Sequence, residues 1–239
     1  MKIQSEKDLE KIGTAYQSGL YYPEKLKVNI GMASCGIAAG AQKALAKAAA
    51  AYGNGDGVQI CQTGCLGFCE QEPLVEILAK GQPRVLYKKM TADRILDAIE
   101  DYRSGALQQK KWILGQIHDP RCLLEEDIDN PLGRVEPYEG IPLLDGTSFY
   151  SKQLKIALRN CGYIDPDSIE EYIARAGYRA FLRALNELKP AEVISAVKTS
   201  GLRGRGGGGF PTGIKWATCA KHEGRRAIIC NADEGDPEA

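Results

Sequence analysis

Apolar residues recur at helical spacing from Ser5 to Leu20, with Leu9, Ile12, Ala15 and Tyr16 on one side, and Pro23 stops the pattern. From Lys25 to Ile30 the period shortens to two, with Leu26, Val28 and Ile30 apolar, which predicts a short strand. A turn at Gly31–Gly36 leads into an alanine-rich stretch, Ile37 to Tyr52. That stretch predicts a helix, because alanine is the best helix former and Lys43 and Lys47 sit four apart on one face. Glycines from Gly53 to Gly57 end it, and Val58–Cys61 reads as a second strand. Pro73–Ala79 and Arg84–Tyr87 flank Gly81 as a hairpin, and Thr91 opens a helix through Ile95, Leu96 and Ile99 to Tyr102. The order of helix, strand, helix, strand, hairpin and helix predicts a small α/β sandwich, of about eighty residues after its leading helix and large enough for its own core.

Periodicity weakens from Ser104 to Asp165, where Pro120, Pro131, Pro137 and Pro142 interrupt it, and the stretch reads as an extended connector with one short helix near 153–159. Ser168 and Glu171 are spaced as a capping box for a helix that ends near Gly177. Two more helices follow, Tyr178–Leu188 and Pro190–Thr199, the second opened by a first-turn proline. Arg226–Cys230 reads as a buried strand. The expected division is a leading helix at 1–24, the α/β domain at 25–103, the connector at 104–165 and a further domain at 166–239.

Composition narrows the classes of function. The 239 residues carry 31 basic and 31 acidic side chains, so no excess of charge invites nucleic acid as a partner. No apolar run is long enough to span a bilayer. The first residues lack the apolar core of a secretion signal, and eight cysteines without such a signal point to a reducing, cytoplasmic setting. There, clustered cysteines hold metal more often than they form disulfides.

The run from Ser200 to Trp216 holds seven glycines and three cationic side chains, Arg203, Arg205 and Lys215. So much glycine carries an entropic cost, and the usual compensation is a backbone whose N–H groups closely approach an anion, phosphate first. The composition also fits a flexible basic linker, but a linker would not carry the Phe210-Pro211-Thr212-Gly213 tail. Gly204–Gly209 matches the dinucleotide fingerprint only in isolation, since the preceding residues read as helix rather than strand, and Lys215 misses the NTPase phosphate-loop pattern by one position. Cys61, Cys65 and Cys69 lie four apart, and Cys35 sits in the turn after the first strand. Loops leaving neighbouring strands at one sheet edge can meet, and converging thiolates suit zinc or an iron–sulfur cluster. Cys61 reads equally as a buried small hydrophobe, and Cys122, Cys161, Cys219 and Cys230 read as packing residues.

With these residues assembled, the chain resembles the flavin-bearing subunit of NADH dehydrogenases. It is most similar to the beta subunits of NAD-linked hydrogenases and formate dehydrogenases, in which a thioredoxin-like 2Fe–2S ferredoxin domain precedes the flavin domain. The resemblance is carried by Gly201–Gly213, by Cys230-Asn231-Ala232-Asp233-Glu234-Gly235-Asp236-Pro237 and by Ile164–Arg175. It implies an α/β chain with a thioredoxin-like domain, an extended linker and the first part of an FMN-binding domain. It implies FMN and NAD(H) seated by Gly204, Arg205, Gly206, Gly207, Gly208 and Gly209, with Phe210 stacking and Lys215 pairing with flavin or phosphate oxygens. Asn231, Asp233 and Glu234 would contact the flavin, and Glu234 and Asp236 would stand at the reacting side. Cys35, Cys61, Cys65 and Cys69 would hold the cluster; the family's earlier cysteine falls on Ile30, so either Cys61 replaces that ligand or the cluster site is degenerate. Glu238 departs from the family's glycine. The sequence ends within the flavin domain, so the reading expects a truncated product or one part of a split subunit, inactive alone and binding FMN weakly or not at all. The implied partners are NADH and the other subunits of a hydrogenase, formate dehydrogenase or similar complex. Two other readings stay open: an electron-transfer or docking module with a vestigial flavin segment, and a zinc-binding adaptor.

Overall fold

In the computed structural model the described residues are 3, 5–21, 23–53, 57–118, 135–153, 155, 158–227 and 229. The chain forms two compact units, Met1–Gly177 and Tyr178–Ala239.

The first unit is a five-stranded sheet of order β2-β1-β3-β4-β5. Its strands are β1 (Leu26–Gly31), β2 (Val58–Thr63), β3 (Val75–Leu78), β4 (Arg84–Tyr87) and β5 (Ile113–Ile117). β1 runs parallel to β2, with Val28 opposite Ile60 and Asn29 opposite Cys61, and antiparallel to β3. The β3–β4 hairpin and β5 continue antiparallel. A parallel strand–helix–strand unit beside an antiparallel hairpin and a covering helix is the thioredoxin-like arrangement. Its helices are α1 (Glu6–Tyr21), α2 (Ser34–Ala38), α3 (Ala41–Tyr52), α4 (Ile95–Ser104) and α5 (Ile169–Ala174).

One sheet face is the expected apolar one. Val28, Ile30, Val75, Ile77, Val85 and Tyr87 are fully buried against Ala41, Ala44 and Ala48 of α3 and Ile95, Ile99 and Tyr102 of α4. Alanines along α3 let that helix lie close to the sheet, and each larger aliphatic side chain so buried contributes about 1.5–3 kcal/mol.

The other face is polar yet covered. Lys27 is 1% exposed and its ammonium lies 2.7 Å from the Glu171 carboxylate on α5. Arg84 makes a two-pronged contact with Glu76, Nε to Oε1 at 2.9 Å and Nη2 to Oε2 at 2.7 Å, and donates a further bond to the Leu20 carbonyl. Asn29 donates to the same glutamate at 2.8 Å. α1 packs against α5 over this layer, where Leu20 and Tyr21 meet Ile164 and Ala174. Burial removes water from each charge, and each is paired in return.

Two sequence readings change. The single helix read from Ile37 to Tyr52 is two, because Gly40 adopts a left-handed φ of 99° between α2 and α3. The connector is not simply extended, for it contains β5. The strand escapes notice because Gln116 stands where an apolar residue would be expected. Gln116 is buried and donates to the carbonyls of Tyr138 and Ile141, both at 2.8 Å, so that residues 138–144 are laced to the sheet edge.

The second unit contains α6 (Arg179–Asn186), α7 (Pro190–Thr199) and α8 (Thr212–Ala220). The Glu192 side chain caps the first turn of α7 by accepting from the Lys189 N–H at 2.7 Å. α7 packs on α8. The strand read at 226–230 falls partly outside the described residues, as does the short helix near 153–159.

Candidate functional site

The thiols collect at one edge of the sheet. β1 ends at Gly31 and the chain turns into α2, whose second residue is Cys35. β2 ends at Thr63 and the loop after it carries Cys65 and Cys69. Within the loop, the Gly67 N–H donates to Cys65 Sγ at 3.1 Å, and the two sulfurs of Cys65 and Cys69 stand 3.9 Å apart. Cys69 also shares a hydrogen bond with Cys35, which together with burial and the nearby Cys65 pushes its thiol up to about 12. Three of the four predicted ligands are therefore neighbours.

Cys61 is not brought to them. It is 6% exposed on β2, beside Asn29 in the register, and so lies on the sheet face that carries Lys27 and Glu171. Burial pushes its thiol up, opposed by the positive charge of Lys27 and reinforced by Glu171 and Asp165.

The thiol edge can be tested against the groups that thiolates hold. A tetrahedral metal with metal–sulfur bonds of about 2.3 Å separates its thiolates by about 3.8 Å. The 3.9 Å between Cys65 and Cys69 fits such an edge. Among the described residues no three His, Cys, Asp or Glu side chains converge on one point that a single ion could share. A two-iron cluster asks instead for two pairs of thiolates, one per iron. One pair is in place, and Cys35 begins the other.

Sequence reading overlooked the cover over this loop. Phe68 stacks on Phe149 with ring centroids 4.0 Å apart, and Tyr150 meets both rings edge-on. Lys155 donates to the Leu66 carbonyl at 3.2 Å, and burial pushes its amine down while Cys161 and Cys65 raise it. Cys161 lies within electrostatic reach of Cys65 and is half-buried. The only hint in the sequence is that Cys161-Gly162 repeats the Cys35-Gly36 pair.

The glycine loop lies in the second unit. Arg203 and Pro211 form an antiparallel bridge, closed by Gly204 N–H to the Phe210 carbonyl and Thr212 N–H to the Leu202 carbonyl, both at 2.9 Å. Between these ties, residues 205–209 loop out. Among the described residues none of their N–H groups donates to another backbone carbonyl. A Cβ on Gly207, Gly208 or Gly209 would meet nothing within 4 Å, so the loop borders open space at these positions. Phe210 is half exposed, and the Lys215 ammonium lies 6.0 Å from its ring centre. Free amides, an exposed ring and a cation at one loop fit a phosphorylated aromatic ligand. Asn231, Asp233, Glu234 and Asp236 lie outside the described residues, as do Cys122, Cys230 and Glu238. Cys219 is exposed on α8.

Comparison with known proteins gives these two segments a context. Residues 197–239 match the Nuo51 FMN-binding domain. The chain is 56% identical over 93 residues to the HndC component of the NADP-reducing hydrogenase of Solidesulfovibrio fructosivorans, covering 38% of this chain and 19% of that protein. It is 48% identical over 83 residues to an NADH-quinone oxidoreductase subunit of Rhizobium meliloti (strain 1021), covering 34% of this chain and 20% of the relative. The chain thus spans about a fifth of the length of these relatives. A solved thioredoxin-like 2Fe–2S ferredoxin from Aquifex aeolicus aligns with 41% of this chain and 96% of its own, at 15% identity and a TM-score of 0.35. Among the described residues no helix is long and apolar enough to cross a membrane. The chain is thus similar in part to subunits of NAD(P)-reducing hydrogenases and NADH-quinone oxidoreductases, and its residues 197–239 match the Nuo51 FMN-binding domain.

Proposed function

We propose that this chain contributes to an NADH-oxidising flavoprotein subunit of a multisubunit, cytoplasmic redox complex of the hydrogenase or formate dehydrogenase type. The observation that carries this reading is the loop of free amides at 205–209, closed by the Arg203–Pro211 bridge within the segment that matches an FMN-binding domain. When bound, FMN supplies a hydride acceptor for NADH, and a 2Fe–2S cluster supplies single-electron transfer. The protein's own task is to bind and orient. The amides of Gly206, Gly207 and Gly208 receive phosphate oxygens, Arg205 and Lys215 balance the charge, and Phe210 offers a face for stacking. Asn231, Asp233, Glu234 and Asp236 complete the flavin side in this reading. In the first unit, Cys35, Cys65 and Cys69 present thiolates to the cluster, and Lys155 offsets their negative charge.

The test separates phosphate recognition from general stickiness. FMN and riboflavin share the ring and differ in the phosphate. Titration of the chain with each, followed by fluorescence quenching, is expected to give weak saturable binding of FMN and weaker binding of riboflavin. Gly208→Val should erase the difference. Equal isotherms for the two flavins would overturn the reading.

A further inference from the structure

The thiol edge is one ligand short. In this reading of the edge as a two-iron site, each iron takes two thiolates, and Cys35, Cys65 and Cys69 supply three. Ile30 has no donor atom and is fully buried in the apolar core. Cys61 faces the Lys27–Glu171 layer, and turning it to the other face would require a one-residue slip of β2 that takes Val58 out of the apolar core and puts Thr63 into it.

We propose that Cys161, which reaches the edge from the segment following the sheet, is the fourth thiolate of the site formed by Cys35, Cys65 and Cys69. Two contacts, both to Leu66, bring its segment to the loop. Gly162 abuts the loop so closely that a Cβ at this position would lie 2.2 Å from the Leu66 side chain, next to Cys65. Its φ of 85° is the left-handed conformation that lets the chain turn at that point. Lys155 ties the same segment to the Leu66 carbonyl, and its ammonium lies within electrostatic reach of both Cys65 and Cys161. The turn is held from behind: Cys161 N–H donates to the Leu158 carbonyl at 3.1 Å, and Arg175 donates to Asn160 Oδ1 at 2.9 Å.

This arrangement assigns a task to residues 144–163. Phe149 and Tyr150 shield the loop, Lys155 supplies positive charge and Cys161 supplies sulfur. Ligation is an exchange without oxidation: each thiol releases its proton to solvent as its sulfur takes iron. The cluster would bind only when the segment is docked as it is here.

The experiment uses the full chain, reconstituted anaerobically with iron and sulfide. Iron and acid-labile sulfide per chain are measured, with visible absorption and the EPR spectrum after reduction. Wild type and Cys61→Ser should load fully and share one spectrum. Cys161→Ala should lose most of its iron, and Cys161→Ser should load in part with shifted g-values, because oxygen replaces sulfur. Melting curves of the apo variants check folding. Alkylation needs no variant: in loaded wild type, iodoacetamide should label Cys219 and spare Cys161. If Cys161 is labelled in loaded protein, or if Cys161→Ala keeps full iron and the wild-type spectrum, the proposal is wrong while the cluster reading stands. If wild type takes up no iron, both fall.

Discussion

Lys27 and Glu171, 144 residues apart in sequence, hold a 2.7 Å ion pair beneath α1 and α5. The lysine is almost fully buried on β1 and the glutamate on α5. Glu171 also accepts the Asp165 N–H at 2.7 Å and its own N–H is held by Ser168 Oγ at 3.1 Å. The residue expected to close a capping box thus sends its side chain to the sheet instead, and the helix start doubles as a clamp.

Removing one partner leaves a buried charge without compensation, which costs about 3–5 kcal/mol. Glu171→Leu or Lys27→Met alone should therefore strongly destabilise the first unit. The double variant should recover most of the loss, short by about 1 kcal/mol for the orphaned Asp165 N–H. Urea unfolding in a Trp216→Phe background, where Trp112 reports on the first unit, measures the cycle. Additive losses would contradict the pairing.

Glu72 predicts a pH effect. Its Oε2 accepts the Leu74 N–H at 2.6 Å, while its Oε1 and Asn29 Oδ1 lack hydrogen-bond partners among the described residues. Both residues line a small cavity with Thr63, Leu74, Glu76 and Leu86. Burial pushes the Glu72 carboxyl above the usual range, against the lowering effect of the Leu74 N–H. The folded protein therefore holds this proton more tightly than the unfolded chain. The stabilisation is complete below the unfolded carboxyl value and is lost as pH rises through the folded one. Glu72→Gln should raise the melting temperature at pH 8 by roughly 2–4 °C. The advantage should shrink towards pH 4, where wild type is protonated as well. A pH-independent difference between the two proteins would contradict this.

These residues also mark what the sequence could and could not reveal. Alternation along β1 identified the strand, and Val28 and Ile30 line the core as the pattern implies. The same alternation makes Lys27 and Asn29 look like a solvent face, because nothing local announces a helix arriving from position 169. Cysteine spacing pointed to Cys65 and Cys69 through loop proximity. It left Cys61 open between a ligand and a buried small hydrophobe, since the face a strand residue presents is not set until the register is fixed. Cys161 stood alone in the sequence, 92 residues beyond Cys69, and nothing local announces that its neighbour Gly162 packs on Leu66. Local capping, by contrast, read directly: Pro190 opens α7 where a first-turn proline should.

The glycines of the second unit are expected to divide into two kinds. A Cβ on Gly213 would lie 2.6–2.8 Å from Lys198 Cγ, N and Cα, so this glycine sets the closeness of α7 and α8. Two of those three atoms are backbone and cannot swing aside. Gly213→Ala should push the helices apart at a cost of about 1–3 kcal/mol. Gly208 meets nothing within 4 Å and its backbone is outside the left-handed region, so Gly208→Ala should leave stability within about 0.5 kcal/mol. A bulkier Gly208→Val should likewise preserve folding while filling the space above the amides, and should weaken FMN more than riboflavin. Amide hydrogen exchange across residues 190–220 reads the first effect, and flavin titration reads the second. Faster exchange in Gly213→Ala but not in Gly208→Val, with flavin discrimination reduced in the latter, is the pattern that separates a packing glycine from a ligand-facing one.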